Sequence, residues 1–379
     1  MRDSQLNDTL VLHVLGARPN FVKAAPVISG LAELGVRQGL IHTGQHYDAL
    51  MSDVFFVDLN LPEPLANLAV GSGTHAQQTA TLLTGLEEVM LREQPGLVIV
   101  YGDVNSTLAA ILVCAKLGIP TAHVEAGLRS FDRSMPEEVN RIVTDALADI
   151  LFCTSPDALS HLAHEGVSPS KVHLVGNPMI DSLFSALPKL DPAPVQERLG
   201  LSGRYAVGTL HRPANVDDPA SAKELVDAVL GVAEHVPVIV PLHPRGRQRL
   251  AEAGLVDGPA LKIVEPLGYV DFLSLVRGAA LVLTDSGGVQ EETTMLGVPC
   301  LTIRPNTERP ITVTHGTNRL VTPAQLPAAA AQALVDGAST PSEELPVLWD
   351  GKSGLRIARV VAAWLRGENL SPAARGTVG

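Results

Sequence analysis

The sequence predicts an α/β protein made of two parallel-sheet domains, on three observations. Short apolar runs, bounded by Gly, Pro or polar residues, alternate with amphipathic stretches, the pattern of strands followed by helices. The alternation stops once, at Gly176-Asn177-Pro178 and the proline-rich residues 188–194, and then starts again. The chain is 379 residues long, enough for two such domains. A strand–helix–strand repeat of this kind builds a parallel sheet covered on both faces.

In the first half, residues 10–15, 39–42, 97–101, 121–124, 150–153 and 172–175 read as buried strands, with helices at 20–33, 76–93 and 106–116. Residues 176–194 read as the linker. In the second half the strands are 205–210, 238–242, 261–264, 280–284 and 300–303, and the helices 222–234, 270–278 and 289–296. A last amphipathic helix covers 354–366, followed by a Gly- and Ala-containing tail expected to fray. The expected domains are residues 1–177, joined by the C-terminal helix 354–370, and residues 178–353. Two copies of one architecture place a ligand cleft between them.

Composition narrows the function. Hydrophobic residues make up 46% of the chain and charged residues 18%, which excludes a disordered protein. The net charge of -12 has the wrong sign for a general nucleic-acid or anionic-membrane binder. An acidic protein that binds phosphate must concentrate its cations locally. Cys114, Cys153 and Cys300 lie far apart in apolar patterns and read as core residues rather than a disulfide or metal set. The polar start carries no signal region, and the apolar run 108–119 is too short to span a bilayer, so a soluble cytoplasmic protein is expected. No metal-ligand spacing and no Gly-x-Gly-x-x-Gly after the first strand occur, so neither a metal nor a nicotinamide cofactor is expected.

The strongest local signal is Leu281-Val282-Leu283-Thr284-Asp285-Ser286-Gly287-Gly288-Val289-Gln290-Glu291-Glu292. A buried strand ends at a Ser-Gly-Gly turn that opens a helix. Glycines let the backbone approach a ligand, and the free N–H groups of a helix start favour an anion. Ser286, Gly287 and Gly288 would cradle phosphate, and Glu292 would accept hydrogen bonds from ribose hydroxyls; the plainer reading is that Ser286 merely caps the helix. Arg18 and Lys23 follow the first strand, where ligands sit in such sheets. His211-Arg212 and His243-Pro244-Arg245 follow strands of the second domain, where cationic groups hold a diphosphate as it leaves.

Three carboxylates sit at strand ends of the first domain. Asp103 follows Tyr101-Gly102, Glu125 lies in His123-Val124-Glu125-Ala126-Gly127-Leu128-Arg129, and Glu137 opens a helix in Ser134-Met135-Pro136-Glu137-Glu138-Val139-Asn140-Arg141. Their mutual repulsion would raise some of their pKa values and suit acid/base work. Arg141, four residues after Glu137, would hold it ionised. The structural alternatives are a capping box from Ser134 to Glu137 and a helix cap by Asp103.

These stretches resemble the non-hydrolysing UDP-N-acetylglucosamine 2-epimerase family. The matching runs are Gly16-Ala17-Arg18-Pro19, Gly44-Gln45-His46, Gly102-Asp103, 123–129, 136–141, Leu210-His211-Arg212, 285–292 and Thr307-Glu308-Arg309-Pro310, in family order over roughly residues 10–320. The resemblance implies a GT-B fold, with two Rossmann-like domains, an interdomain cleft and a C-terminal helix that crosses back to the first domain. It implies interconversion of UDP-GlcNAc and UDP-ManNAc and a homodimer. It assigns Asp103, Glu125, Glu137, Arg141 and His211 to catalysis. It assigns Arg18, Lys23, His243, Phe272, Ser286, Gly287, Gly288, Glu292 and Arg309 to the bound UDP-sugar. The Gly44-Gln45-His46-Tyr47-Asp48 and Arg129-Ser130-Phe131-Asp132-Arg133 runs look like archaeal members and like the branch acting on UDP-2,3-diacetamido-glucuronic acid, where Arg133 would meet the uronate carboxylate. A GT-B glycosyltransferase is the rival activity, and it would need an acceptor site.

Overall fold

A computed structural model describes residues 4–44, 55–242, 244–337 and 345–368, apart from the side chains of 4, 5, 213, 214 and 244–246. The chain divides into two compact units, one running to Ser185 and resuming at Val347, the other Ala186–Pro346.

The first unit is organised on a sheet of β1 (Val11–Leu15), β2 (Gln38–His42), β3 (Ala66–Asn67), β4 (Leu97–Tyr101), β5 (Thr121–Ala126), β6 (Ile150–Cys153) and β7 (Val172–Leu174). Its order is β3-β2-β1-β4-β5-β6-β7, with parallel pairing throughout. The central strands are buried along their whole length, as a sheet with helices on both faces requires. His13 is the polar exception in β1. Its Nδ1 accepts from the Tyr101 hydroxyl at 2.7 Å and its Nε2 donates to Gln38 at 2.9 Å. Burial pushes this imidazole down to about 4, so it sits in the core as a neutral, fully bonded ring.

The second unit carries β8 (Ala206–Thr209), β9 (Val238–Pro241), β10 (Leu261–Val264), β11 (Leu281–Thr284), β12 (Cys300–Ile303) and β13 (Asn318–Val321), in the order β10-β9-β8-β11-β12-β13 and again parallel. Strand order reverses between β1 and β4 in one sheet and between β8 and β11 in the other. Ligands in such sheets bind outside the carboxyl ends of the strands at that reversal. The two switch points therefore lie at Gly16–Arg18 with Gly102-Asp103, and at Leu210–Arg212 with Asp285–Gly288.

Two strands escape the sequence reading, β3 and β13. Both lie at a sheet edge, where burial on one side only removes the continuous apolar run. The stretch expected as the linker is not irregular, and the two units meet within it at Ser185 and Ala186. Residues 178–198 hold a helix Pro178–Ala186, a 3-10 turn Leu187–Lys189 and a helix Pro192–Arg198. Pro178 and Pro192 stand at first helical positions, where the missing N–H costs nothing. Asp191 completes the second start by accepting the Ala193 N–H at 3.0 Å. Cys114, Cys153 and Cys300 are buried and free, as expected.

The helix Ser353–Leu365 returns to the first unit and lies on the helix Arg18–Glu33. Gly354 has no room for a side chain against the Pro26 carbonyl, so the two backbones meet directly. Asp181 accepts the Gly354 N–H at 2.7 Å and so anchors the helix start. Nearby, Gly176 has φ +82°, and an added Cβ would collide with the Leu348 carbonyl oxygen. Gly176→Ala is expected to destabilise the first unit by about 3 kcal/mol, from left-handed strain plus overpacking, read as an earlier midpoint in urea denaturation.

Candidate active-site residues at the two switch points

The β1–β4 switch point is stapled by one side chain. Asn20 Oδ1 accepts the Gly16 and Ala17 N–H groups at 3.1 and 3.0 Å, while its Nδ2 donates to the Tyr101 carbonyl at 2.8 Å. Arg18 opens the helix behind this turn and its guanidinium stands 5.7 Å over the Phe55 ring. Lys23, one turn on, is buried and ion-paired with the buried carboxylate of Glu125. Gly102, at φ +64°, makes space for that pair. A Cβ there would lie 3.1 Å from Glu125 Oε2 and 3.2 Å from Lys23 Nζ. Glu125 itself has φ +78°, a conformation that costs a non-glycine residue about 1–3 kcal/mol and gathers at functional sites. The pairing of β5 with β6 slips by a residue between Val124 and Ala126, a bulge that aims this side chain.

Asp103 follows Gly102, and its carboxylate, 26% exposed, pairs with Arg141. Arg141 also binds Glu138 at 2.5 Å and the Ser130 hydroxyl at 3.3 Å. Glu138 in turn accepts the Ser130 and Phe131 N–H groups at 3.0 and 2.9 Å, shaping the turn before the helix Pro136–Leu147. Burial alone would raise the Glu138 carboxyl; these donors and Arg141 bring it below its ordinary value.

One expectation and two structural alternatives fail here. Arg141 does not hold Glu137; it reaches Glu138 and Asp103, because a spacing of three as well as four puts helix residues side by side. The Ser134–Glu137 capping box is absent: the helix starts from Met135, and Ser134 bonds Asp132 at 2.6 Å. Asp103 does not cap the following helix, whose N-cap is Val104. Two of the carboxylates meet cations: Glu125 pairs with Lys23 and Asp103 with Arg141. Glu137 is half-buried on the first turn of its helix.

The second switch point is organised by Asp285, which is fully buried. Its carboxylate accepts the His211 and Arg212 N–H groups at 3.0 and 2.9 Å, Asn215 Nδ2 at 3.2 Å and the His211 ring at 3.0 Å. Burial pushes this carboxyl up, but His211 and the backbone donors hold it below the usual range, so it is an anion facing an imidazole. The His211 side chain is 62% exposed. Sequence reading singled out His211 and missed its holder; the signal was an Asp inside an otherwise apolar strand end.

Ser286, Gly287 and Gly288 open the helix Gly287–Leu296 and are half-buried. Ser286 makes no side-chain cap; its N–H donates to Thr284 Oγ1 at 2.9 Å, so the simple capping role is not what the residue does. A Cβ on Gly287 would strike Arg309 and Glu308. Arg309 is buried, paired with Glu308 and 3.1 Å from Glu291. Glu292 is buried one turn into the helix, and Phe272 is half-buried on the helix Tyr269–Arg277. His243 lies outside the described residues, as do Gln45, His46, Tyr47 and Asp48. No group of His, Cys, Asp and Glu among the described residues is arranged to hold a metal ion, and no described helix is long and apolar enough to cross a membrane.

Comparison with known proteins decides the family. A family profile described as UDP-N-acetylglucosamine 2-epimerase matches residues 32–362. The chain belongs to the UDP-N-acetylglucosamine 2-epimerase family. Within this family it is 44% identical over 321 residues, 81% of its length and 87% of the relative's, to the UDP-N-acetylglucosamine 2-epimerase of Methanocaldococcus jannaschii. It is 41% identical over 362 residues, 93% of its length and 99% of the relative's, to the UDP-2,3-diacetamido-2,3-dideoxy-D-glucuronate 2-epimerase of Pseudomonas aeruginosa. The crystal structure of the M. jannaschii epimerase with UDP-GlcNAc and UDP superposes with a TM-score of 0.87 at 40% identity, covering 93% of this chain and 99% of that one. The fold is therefore the GT-B fold of these epimerases.

Burial pushes the Glu292 carboxyl up to about 8, with the charge of Glu291 adding to it, from an ordinary value of 4.5. The folded protein thus holds this proton more tightly than the unfolded chain. The stability so gained is complete below 4.5 and is lost as pH rises toward 8. Glu292→Gln, which is neutral at every pH, is expected to gain stability over the wild type in urea denaturation at pH 8 relative to pH 5.

Proposed function

We propose that this protein is a non-hydrolysing epimerase that interconverts UDP-GlcNAc and UDP-ManNAc through elimination and re-addition of UDP. The observation that carries the reading is the pair of carboxylates at the first switch point, each set against its own cation, with Glu125 in a left-handed backbone conformation. The C2 hydrogen of the sugar has no adjacent carbonyl, so its removal alone would leave an unstabilised carbanion. If the C1–O bond to UDP breaks as a base takes that proton, the electron pair forms a C1–C2 double bond and the products are 2-acetamidoglucal and UDP. Protonation of C2 from the opposite face and return of the UDP oxygen to C1 complete the inversion.

Asp103 or Glu125 serves as the base and Glu137 as the acid/base of the other face. Arg141 acts through Asp103, which it holds. His211, itself held by Asp285, stabilises the departing diphosphate, and the Ser286-Gly287-Gly288 turn cradles it at a helix start. Arg18 and Lys23 add positive charge, Phe272 packs the uracil, Glu292 binds the ribose, and Arg309 shapes the phosphate turn. The enzyme works as a homodimer. The relative from P. aeruginosa, 41% identical to this chain, supports a second reading, epimerisation of UDP-2,3-diacetamido-glucuronic acid.

Incubation of the enzyme with each UDP-sugar in deuterated water decides between them by NMR. Deuterium at C2 of intact UDP-GlcNAc and UDP-ManNAc is the expected result. Labelling of the uronate alone would replace the first reading by the second, free ManNAc would mean hydrolysis, and no reaction without an acceptor would mean a glycosyltransferase. Glu125→Gln is expected to bind UDP as the wild type does while kcat falls about 10²–10⁴-fold. Full turnover by this variant would remove Glu125 from the scheme.

A further inference from the structure

Asp145 lies on the helix Pro136–Leu147, fully buried, and takes no part in the chemistry set out above. Both of its oxygens are engaged. Oδ1 faces Nδ1 of His123 at 2.6 Å. Oδ2 accepts the Gly127 N–H at 3.0 Å and Arg129 Nη1 at 2.7 Å. Arg129 is braced in turn by the carboxylate of Glu165, at 2.8 and 2.7 Å. His123 and Gly127 flank Glu125 on either side, so one carboxylate grips both ends of the segment that holds the left-handed residue.

The His123 ring extends the grip to the neighbouring strand. Its Nε2 donates to the Gly102 carbonyl at 2.8 Å, and the Gly102 N–H donates to the Val124 carbonyl at 3.0 Å. Gly102 is the residue before Asp103. A carboxylate and a carbonyl are both acceptors, so the buried ring meets them with two N–H groups. Burial works to raise the Asp145 carboxyl, but His123 and Arg129 hold it below the usual carboxylate range, so the central anion persists.

We propose that Asp145 is a positioning residue. It clamps the backbone of His123–Gly127 around Glu125 and, through the His123 ring, the Gly102 peptide, so that Glu125 and Asp103 are presented together from neighbouring strands. This rests on the reading of those two carboxylates as acid/base groups. A strained backbone survives only where its surroundings over-determine it, and a bulge between two central strands has no ladder partner to do so. The clamp supplies that determination from a third element.

Asp145→Asn keeps the size of the side chain but turns one acceptor arm into a donor that meets an N–H. Epimerisation is expected to slow about 100-fold in kcat, while KM and the calorimetric Kd for UDP move by less than about threefold. The crystal structure of the variant should show Glu125 out of the left-handed region. Wild-type kcat in this variant, or a slowed variant with Glu125 still left-handed, overturns the proposal. His123→Gln gives an independent arm: its amide reaches toward Gly102 but abandons Asp145, and the same loss of kcat is expected. Wild-type kcat there overturns the clamp even if Asp145→Asn does not fold. Glu125→Gln run in parallel separates the two ideas. An active Glu125→Gln sinks the acid/base reading, whereas an inactive one beside an unimpaired Asp145→Asn sinks only the clamp.

Discussion

A buried charge must be matched by its opposite, and in this protein that requirement governs both switch points. Taking one ion out of water costs several kcal/mol unless a partner and hydrogen bonds replace the lost solvent. The chain carries a net charge of -12, so carboxylates outnumber the cations that can serve them. The carboxylates near the strand ends are nonetheless paired: Glu125 with Lys23, Asp103 and Glu138 with Arg141, Asp145 with Arg129, Glu308 with Arg304 and Arg309. Three of these pairs, Lys23–Glu125, Arg141–Asp103 and Arg129–Asp145, join separate stretches of the chain. Charge compensation therefore also sets the relative placement of those elements, at the end of the sheet where a ligand is expected.

The two sheets share a topology but use their switch points differently. In the first, side chains supply the charges, and the backbone bends to present them. Glu125 takes a positive φ and Gly102 gives up its side chain to leave room. In the second, one buried carboxylate, Asp285, gathers backbone N–H groups and the His211 ring, and the helix start at Gly287 presents its own N–H groups. The first arrangement suits proton transfer, which needs ionisable side chains at fixed positions. The second suits an anion, which helix starts and oriented N–H groups attract.

The failures of sequence reading have physical causes. Arg141 was matched to Glu137 by the spacing of four, but the true partners are three residues back and 38 residues away, at Glu138 and Asp103. Helix spacing defines which residues share a face, not which of several carboxylates a long guanidinium meets. The stretch around the unit boundary reads as irregular for its prolines, yet Pro178 and Pro192 initiate helices there. The edge strands β3 and β13 lacked an apolar run because one side of an edge is open. Asp145 carried no motif at all. A carboxylate inside an amphipathic helix looks like a solvated residue until the neighbouring strand is known to press His123 and Gly127 against it.

The sequence by itself determined the architecture and the approximate addresses of the site. Alternating apolar runs specify buried parallel strands through burial alone, and the Ser-Gly-Gly turn and the strand-end carboxylates are local features readable in order. The tertiary structure decided the pairing: which cation neutralises which carboxylate, which carboxylate holds His211, and that Asp145 grips both sides of Glu125. Those choices depend on distances between residues far apart in the chain, since Coulombic and hydrogen-bonding partners are selected by proximity in space. Only folding brings Lys23 to Glu125 and Asp103 to Arg141.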